Sequence, residues 1–483
     1  MGAFSEIDDP TDLAAIRSAI AAGERPEALT ELGLKRLVIE DDASAHAAVE
    51  MAGLLRDGVA RTDRPVVAVL VDATPILSDG QPLKPRVIEQ LSREFEVAEV
   101  VLGQPGHLHV DDDVLRVAID AVRGADGIVS VGSGTISDIA KLASAGAGDL
   151  PLVIVQTAAS VDGYTDNVSV VLRAGAKRTI DSRWPDVVLA DTTVIRTAPR
   201  ELNAAGFGEL QSLFTAPADW WLASQVGTDA SFHTTPRDLL QEFAGDPADW
   251  GAGLGSGAPS AVEQLTRVLA IRGIGTGIAG STACLSGVEH LVSHMLDMRA
   301  VATGRDVGLH GAQVGVASVV AASAWEHLLD QIRAGRDITA PGDDAHARVL
   351  QAFAVCDPTG ALGAECWEDY SAKRAAWAAA GDAPLRLLDD ADALTERLGG
   401  MLPDRRALAS ALAVGEAPLR VSDLGDWVTS DVWRWAVANC LYMRNRVTVI
   451  DLLAEAGWWA ENDVAAVIAR AEDAVAEASG ATP

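Results

Sequence analysis

Lysine is nearly missing from this 483-residue sequence. Five of its 38 basic residues are Lys (Lys35, Lys84, Lys141, Lys177 and Lys373), they face 69 acids, and the formal charge is −31. A chain this acidic has little with which to neutralise a phosphate backbone or an anionic bilayer, so neither nucleic acid nor membrane is an expected partner. The acidity reads as a solvated face that names no ligand. Cysteine is sparse as well. Cys284, Cys356, Cys366 and Cys440 stand far apart, in neither a zinc pattern nor a disulfide framework, and are expected to be buried thiols of a cytoplasmic protein. No apolar run reaches roughly 18 residues, and Met1 to Pro10 carries acids without a basic stretch ahead of an apolar one. Export and membrane spanning are therefore not expected.

What is present is a chain with 49% hydrophobic residues, long enough for roughly two to three domains. Up to about residue 200, short β-branched runs alternate with helical stretches. Pro65 to Val71, Val97 to Leu102, Gly127 to Val131, Leu152 to Val155 and Val187 to Leu189 are bounded by Gly, Pro or Asp and read as strands buried on both faces of a parallel sheet. Lys84 to Phe95 and Asp111 to Arg123 carry apolar residues at helical spacing. Beyond residue 200 the strand signal disappears, and Ala-rich helical periodicity runs through Glu201 to Leu222, Ser260 to Leu269, Gly277 to Leu296, Gly311 to Leu329 and Ser430 to Ala456. Gly245 to Pro259 and Asp337 to Asp344 read as loops. The expected architecture is an α/β nucleotide-binding domain over 1–199 with a parallel sheet, followed by an all-α domain over 200–483.

Three motifs can carry chemistry. Val131-Gly-Ser-Gly-Thr-Ile-Ser-Asp-Ile-Ala-Lys141 follows a buried strand and runs into a helix. Its glycines let backbone amides approach a diphosphate, and the helix start offers free N–H groups. Many α/β proteins carry such a turn for steric reasons alone. Gln156-Thr-Ala-Ala-Ser-Val-Asp-Gly-Tyr-Thr-Asp166 closes the next strand, where ligands of open α/β sheets collect, although Ser, Asp and Gly are also ordinary turn residues. In the helical half, His290 and His294 stand at i and i+4 in Ser286-Gly-Val-Glu-His-Leu-Val-Ser-His294, and His310 follows in Leu309-His-Gly311. Three of nine histidines within 21 residues suggest metal binding or proton transfer, with Glu209 in Ala205-Gly-Phe-Gly-Glu-Leu210 as a candidate carboxylate.

In this order the motifs, together with Met443-Arg-Asn-Arg-Val-Thr-Val-Ile-Asp-Leu-Leu-Ala-Glu-Ala-Gly457, resemble the bacterial branch of the glycerol-1-phosphate dehydrogenase family, within the dehydroquinate synthase-like and iron-containing alcohol dehydrogenase superfamily. The resemblance runs from about residue 35 to 460. It implies that Gly132, Ser133, Gly134, Thr135 and Ile136 cradle the diphosphate of NAD(H) or NADP(H), with Asp138 in the same segment. Asp72 would contact the adenosine half, and Thr157, Ala158, Ala159 and Ser160 the nicotinamide side, beside Asp166. Glu209, His290 and His310 would hold one divalent metal (Zn, Ni or Fe), while His294 and Asp162 would face the substrate as catalytic residues. A homodimer is implied too.

Two departures from the family stand out at one place. Glu209 replaces the usual Asp, and Ser212 and Leu213 occupy the positions where a Lys is expected. In addition, Asp166 stands in place of Ser, adding a negative charge that would discourage a 2′-phosphate or a phosphorylated substrate. The activity implied is NAD(P)-linked interconversion of a small ketone and alcohol, with dihydroxyacetone phosphate and sn-glycerol 1-phosphate as the leading pair in phospholipid biosynthesis. The alternatives are a dehydroquinate synthase-like cyclase, disfavoured by five lysines, and a non-catalytic descendant that keeps the fold for binding.

Overall fold

The computed structural model describes residues 4–57, 64–104, 108–173, 176–339, 342, 344–402 and 404–480. The chain divides into two compact units, Met1–Gly206 with Asp238–Gly280 and Phe207–Arg237 with Ser281–Pro483.

Among the described residues the first unit carries ten strands: β1 (Arg36–Glu40), β2 (Val66–Asp72), β3 (Leu77–Ser78), β4 (Gln81–Pro82), β5 (Glu96–Leu102), β6 (Gly127–Gly132), β7 (Leu152–Gln156), β8 (Val168–Arg173), β9 (Ala176–Asp181) and β10 (Val187–Asp191). Six of them form an all-parallel sheet in the order β1-β10-β7-β6-β2-β5, and β3-β4 and β8-β9 are separate two-stranded ribbons. β6, β7 and β10 are buried along their whole length, as their unbroken apolar runs demand. The five strands read from the sequence are all present. β1, at the sheet edge, was not read there because its apolar run, Leu37-Val-Ile39, is only three residues long between Arg36 and Glu40. From β2 the chain goes outward to β5 and then crosses back to β6, so the topology reverses between β2 and β6. In sheets of this kind ligands bind outside the carboxyl ends of the strands at such a reversal.

The expected cut between residues 199 and 200 differs from this division over Asp238–Gly280, which packs with the sheet-bearing unit. The reason is the helix Pro259–Ala279, apolar on nearly every face. At Gly273 an added Cβ would lie 2.2 Å from the Thr165 hydroxyl oxygen, and at Gly277 2.1 Å from the Trp184 ring, so only glycine permits these approaches.

The second unit is helical, and among the described residues no strand follows Asp191. At its centre the helix His310–Arg333 packs against Val288–Ala302, Arg405–Val414 and Glu461–Ala478. Two stretches that read as continuous helices are broken. Glu201 to Leu222 becomes Arg200–Leu210, a 3-10 turn Gln211–Phe214 and Ala216–Val226, with Pro217 restarting the helix. Gly277 to Leu296 is interrupted at Gly280, whose φ of +61° ends one helix before Val288–Ala302 begins. Part of the expected loop 337–344 lies outside the described residues. Cys284, Cys366 and Cys440 are buried, whereas Cys356 is partly exposed. No helix among the described residues is long and apolar enough to cross a membrane.

Candidate active site: a nucleotide cradle and a metal centre

Asp72 and Gly132 end the adjacent strands β2 and β6, on either side of the topological reversal. The chain leaves β6 through Ser133 and enters the helix Gly134–Gly146, whose N-cap Ser133 makes no side-chain capping bond. A Cβ at Gly134 would fall 2.7 Å from Val161 Cγ2, and one at Gly132 3.0 Å from Ile136 Cβ. Backbone thus stands where a larger residue would intrude, and this cradle fits a diphosphate at the helix start. Tyr164 is a member that motif reading passed over. It is buried, lies 3.3 Å from Ser160 Oγ, and has its hydroxyl pKa raised by burial against the hydrogen bonds from Ser160 and the Gly134 backbone.

The second loop is anchored throughout. Ala159 N donates to Asn203 Oδ1 at 3.1 Å, and Gln156 Nε2 donates to Ala158 O at 3.0 Å, which shapes the Thr157 to Ser160 bend. Asp162 forms an ion pair with Arg272, which is 2% exposed, and this partner was not read from the sequence because 110 residues separate the two. Asp138 and Asp166 both converge on the buried Lys141 ammonium, at 3.3 and 2.5 Å. Asp166 therefore shares its partner cation with Asp138. One ammonium cannot neutralise two buried carboxylates, and burial outweighs Lys141 in pushing the Asp166 carboxyl up to about 7, with Asp162 and Asp138 adding to the rise. Asp72 is likewise engaged, by Lys84.

In the second unit, Glu209 ends the helix Arg200–Leu210, His290 sits in the first turn of Val288–Ala302, and His310 opens His310–Arg333. These elements bring one ligand atom from each residue within 4.8 Å of the others. His290 Nε2 lies 3.1 Å from Glu209 Oε1, and His310 Nε2 3.7 Å from Glu209 Oε2. Gly208 permits this approach, since its Cβ would lie 2.3 Å from Gly311 O.

Both imidazoles are held from behind. His290 Nδ1 lies 3.0 Å from Glu289 Oε1, and Thr215 Oγ1 donates to Glu289 Oε2 at 2.9 Å. The Ser293 hydroxyl donates to Gln313 Oε1 at 2.6 Å, which leaves its oxygen to accept from His310 Nδ1 at 2.8 Å. Each ring then carries its proton on Nδ1 and presents Nε2 to the centre, as a metal-ligating histidine requires. Two such nitrogens and a carboxylate are a donor set suited to a borderline divalent cation. Burial depresses the His290 pKa, but Glu209 and Glu289 outweigh it and leave the pKa raised. His294 is buried on the same helix, with its ring centroid 5.4 Å from that of His310 and 6.5 Å from that of His290.

Glu289, Thr215, Ser293 and Gln313 escaped sequence reading. Glu289 neighbours His290 in sequence, but adjacent helical side chains ordinarily diverge, and their meeting depends on the helix start. The departure at Ser212 and Leu213 also looks different in the structure. Both side chains are fully buried, and Ser212 Oγ donates to Glu209 O at 3.0 Å. A Lys in either position would have to bury its charge or distort the turn that carries the ligand.

Residues 50–199 match the model of the iron-containing alcohol dehydrogenase family. The chain is similar to glycerol-1-phosphate dehydrogenase (NAD(P)+) of Bacillus velezensis, at 30% identity over 44% of this chain and 53% of the relative. It is 28% identical to the enzyme of that name from Bacillus subtilis, over 58% of this chain and 70% of the relative. The aligned part thus spans 53% and 70% of these two relatives. Among solved structures, a probable glycerol dehydrogenase from Sinorhizobium meliloti 1021 shares the fold, with a TM-score of 0.55, 16% identity, and coverage of 92% of this chain and 98% of that one.

Proposed function

We propose that the chain is a metal-dependent, NAD(P)-linked dehydrogenase interconverting a small ketone and the corresponding alcohol, with dihydroxyacetone phosphate and sn-glycerol 1-phosphate as the leading pair. The observation that supports this most is the convergence of Glu209, His290 and His310 with the Nδ1 of each imidazole engaged from behind, by Glu289 and Ser293. With cation and nicotinamide bound, the chemistry supplied is Lewis-acid polarisation of a carbonyl and hydride transfer.

This chain's residues do the rest. Gly132, Ser133, Gly134, Thr135 and Ile136 receive the diphosphate, Asp72 the adenosine half, and Thr157 to Ser160 the nicotinamide side. Asp138 and Asp166, through Lys141, hold the helix and loop that form this cradle. His294 delivers or takes the substrate proton, and Asp162, oriented by Arg272, accepts a substrate hydroxyl. Zn, Ni and Fe all suit the donor set, and the working form is a cytoplasmic homodimer. Because Ser212 and Leu213 carry no charge, the phosphorylated ketone lacks the charge-assisted contact a Lys would give, and its binding is expected to be roughly ten- to a hundredfold weaker for that loss. The test is a panel of phosphorylated and unphosphorylated ketones and alcohols, followed by absorbance of the reduced cofactor with both NAD(H) and NADP(H). Turnover of a ketone by metal-loaded protein supports the reading, and turnover of none contradicts it.

A further inference from the structure

We propose that Asp219 and Arg446 are positioning residues for the metal ligand His290, so that the segment from Met443 to Gly457 serves as a strut for the metal-bearing helix. This rests on the metal-centre reading above. His290 is the third residue of the helix Val288–Ala302, so its position follows directly from where that helix starts. The N-cap is Gly287, which has no side chain with which to fix that start. Within the helix, Glu289 Oε1 accepts from Gly287 N at 2.5 Å, and the other ties on the start come from elsewhere in the unit.

Asp219, on the helix Ala216–Val226 and 1% exposed, accepts from Val288 N through Oδ2 at 3.0 Å and from Val449 N through Oδ1 at 2.9 Å. Val288 and Val449 are the first residues of their helices, so one carboxylate ties two helix starts together. The contact is close enough that a Cβ on Gly287 would stand 2.5 Å from Asp219 Oδ2. Three residues before Val449, the Arg446 guanidinium donates to Ser286 O at 2.6 Å, to Ser286 Oγ, and to Thr282 Oγ1 at 2.7 Å. It thereby grips the segment that leads into Gly287. Thr448 and Asp451 lock the strut itself, with Asp451 Oδ2 accepting from Thr448 N at 2.8 Å. A ligand set tolerates only small displacements, so a helix start released from these ties should cost metal affinity beyond any loss of stability.

The test compares Arg446→Met, Arg446→Lys and Ser286→Ala with wild type by Co²⁺ titration, reading the visible absorption bands and affinity, together with circular-dichroism melting of the metal-free proteins. An exposed control, Arg406→Met, removes a surface ion pair with Glu477. Below the melting temperature of each metal-free variant, Arg446→Met is expected to weaken Co²⁺ binding by about tenfold or more and to shift the bands. Arg446→Lys should recover part of the loss, and the control should match wild type. If Arg446→Met does not fold, Ser286→Ala is read in its place and should show the same direction. Wild-type affinity and spectrum in a folded strut variant overturn the inference alone. A wild type that takes up no Co²⁺ overturns the metal reading and the inference with it.

Discussion

At the residue scale, His290, His310 and Glu209 each offer one ligand atom, within 4.8 Å of one another, to the proposed metal centre. His290→Ala and His310→Ala are expected to leave folded proteins with greatly reduced metal content, read by elemental analysis of the purified variants, because the remaining two donors bind a divalent cation poorly. Near-complete occupancy in either variant would refute that assignment. These three residues were legible because two histidines at helical spacing and a third nearby are conspicuous in a chain with nine. Arg272 and Glu289 were not, since their roles depend on where distant or adjacent side chains are aimed rather than on any pattern in the sequence. At the proposed cradle, Gly134→Val would place a branched side chain against Val161. NAD(H) titration should show weakened binding, and unchanged affinity would mean that the turn serves packing only.

At the scale of elements, the metal centre depends on two helix ends touching backbone to backbone. At Gly315 a Cβ would lie 2.8 Å from Gly208 Cα, and at Gly208 one would strike Gly311 O. Gly208→Ala must therefore push the Glu209-bearing turn away from the His310 helix. Overpacking of this kind costs about 1–3 kcal/mol, and urea unfolding should show the loss alongside weaker metal binding.

The cluster on Lys141 makes a different prediction. The Asp166 carboxyl, raised from 3.8 to about 7, binds a proton more readily in the folded than in the unfolded chain. Its contribution to stability is complete below the unfolded value and is lost as pH rises through about 7. Unfolding free energy should fall between pH 3.8 and about 7, with a slope of up to about 1.4 kcal/mol per pH unit for one proton, and level off above, and Asp166→Asn should flatten it. The same slope in both proteins would assign it elsewhere.

At the scale of the whole molecule, the class of fold was legible because its strongest signals are periodic. β6, β7 and β10 are unbroken apolar runs buried on both faces, and the second half carries helical spacing throughout. The division into units was less so. The helix Pro259–Ala279 reads like its helical neighbours, and only Gly273 and Gly277, cut to the shape of Thr165 and Trp184, send it to the sheet-bearing unit. Breaks within helices at Pro217 and Gly280 were also hidden, because one proline or glycine in an apolar run decides little until its neighbours are known.

In the proposed enzyme, metal and activity belong together. The most direct measurement strips the protein of metal by chelation and restores a single divalent cation in steps. Metal content and ketone-dependent oxidation of NADH or NADPH are then recorded on the same samples, with His290→Ala beside wild type. Activity is predicted to rise in proportion to bound metal up to one ion per chain in wild type and to stay at the floor in His290→Ala. Full activity in protein stripped of metal would contradict the central claim.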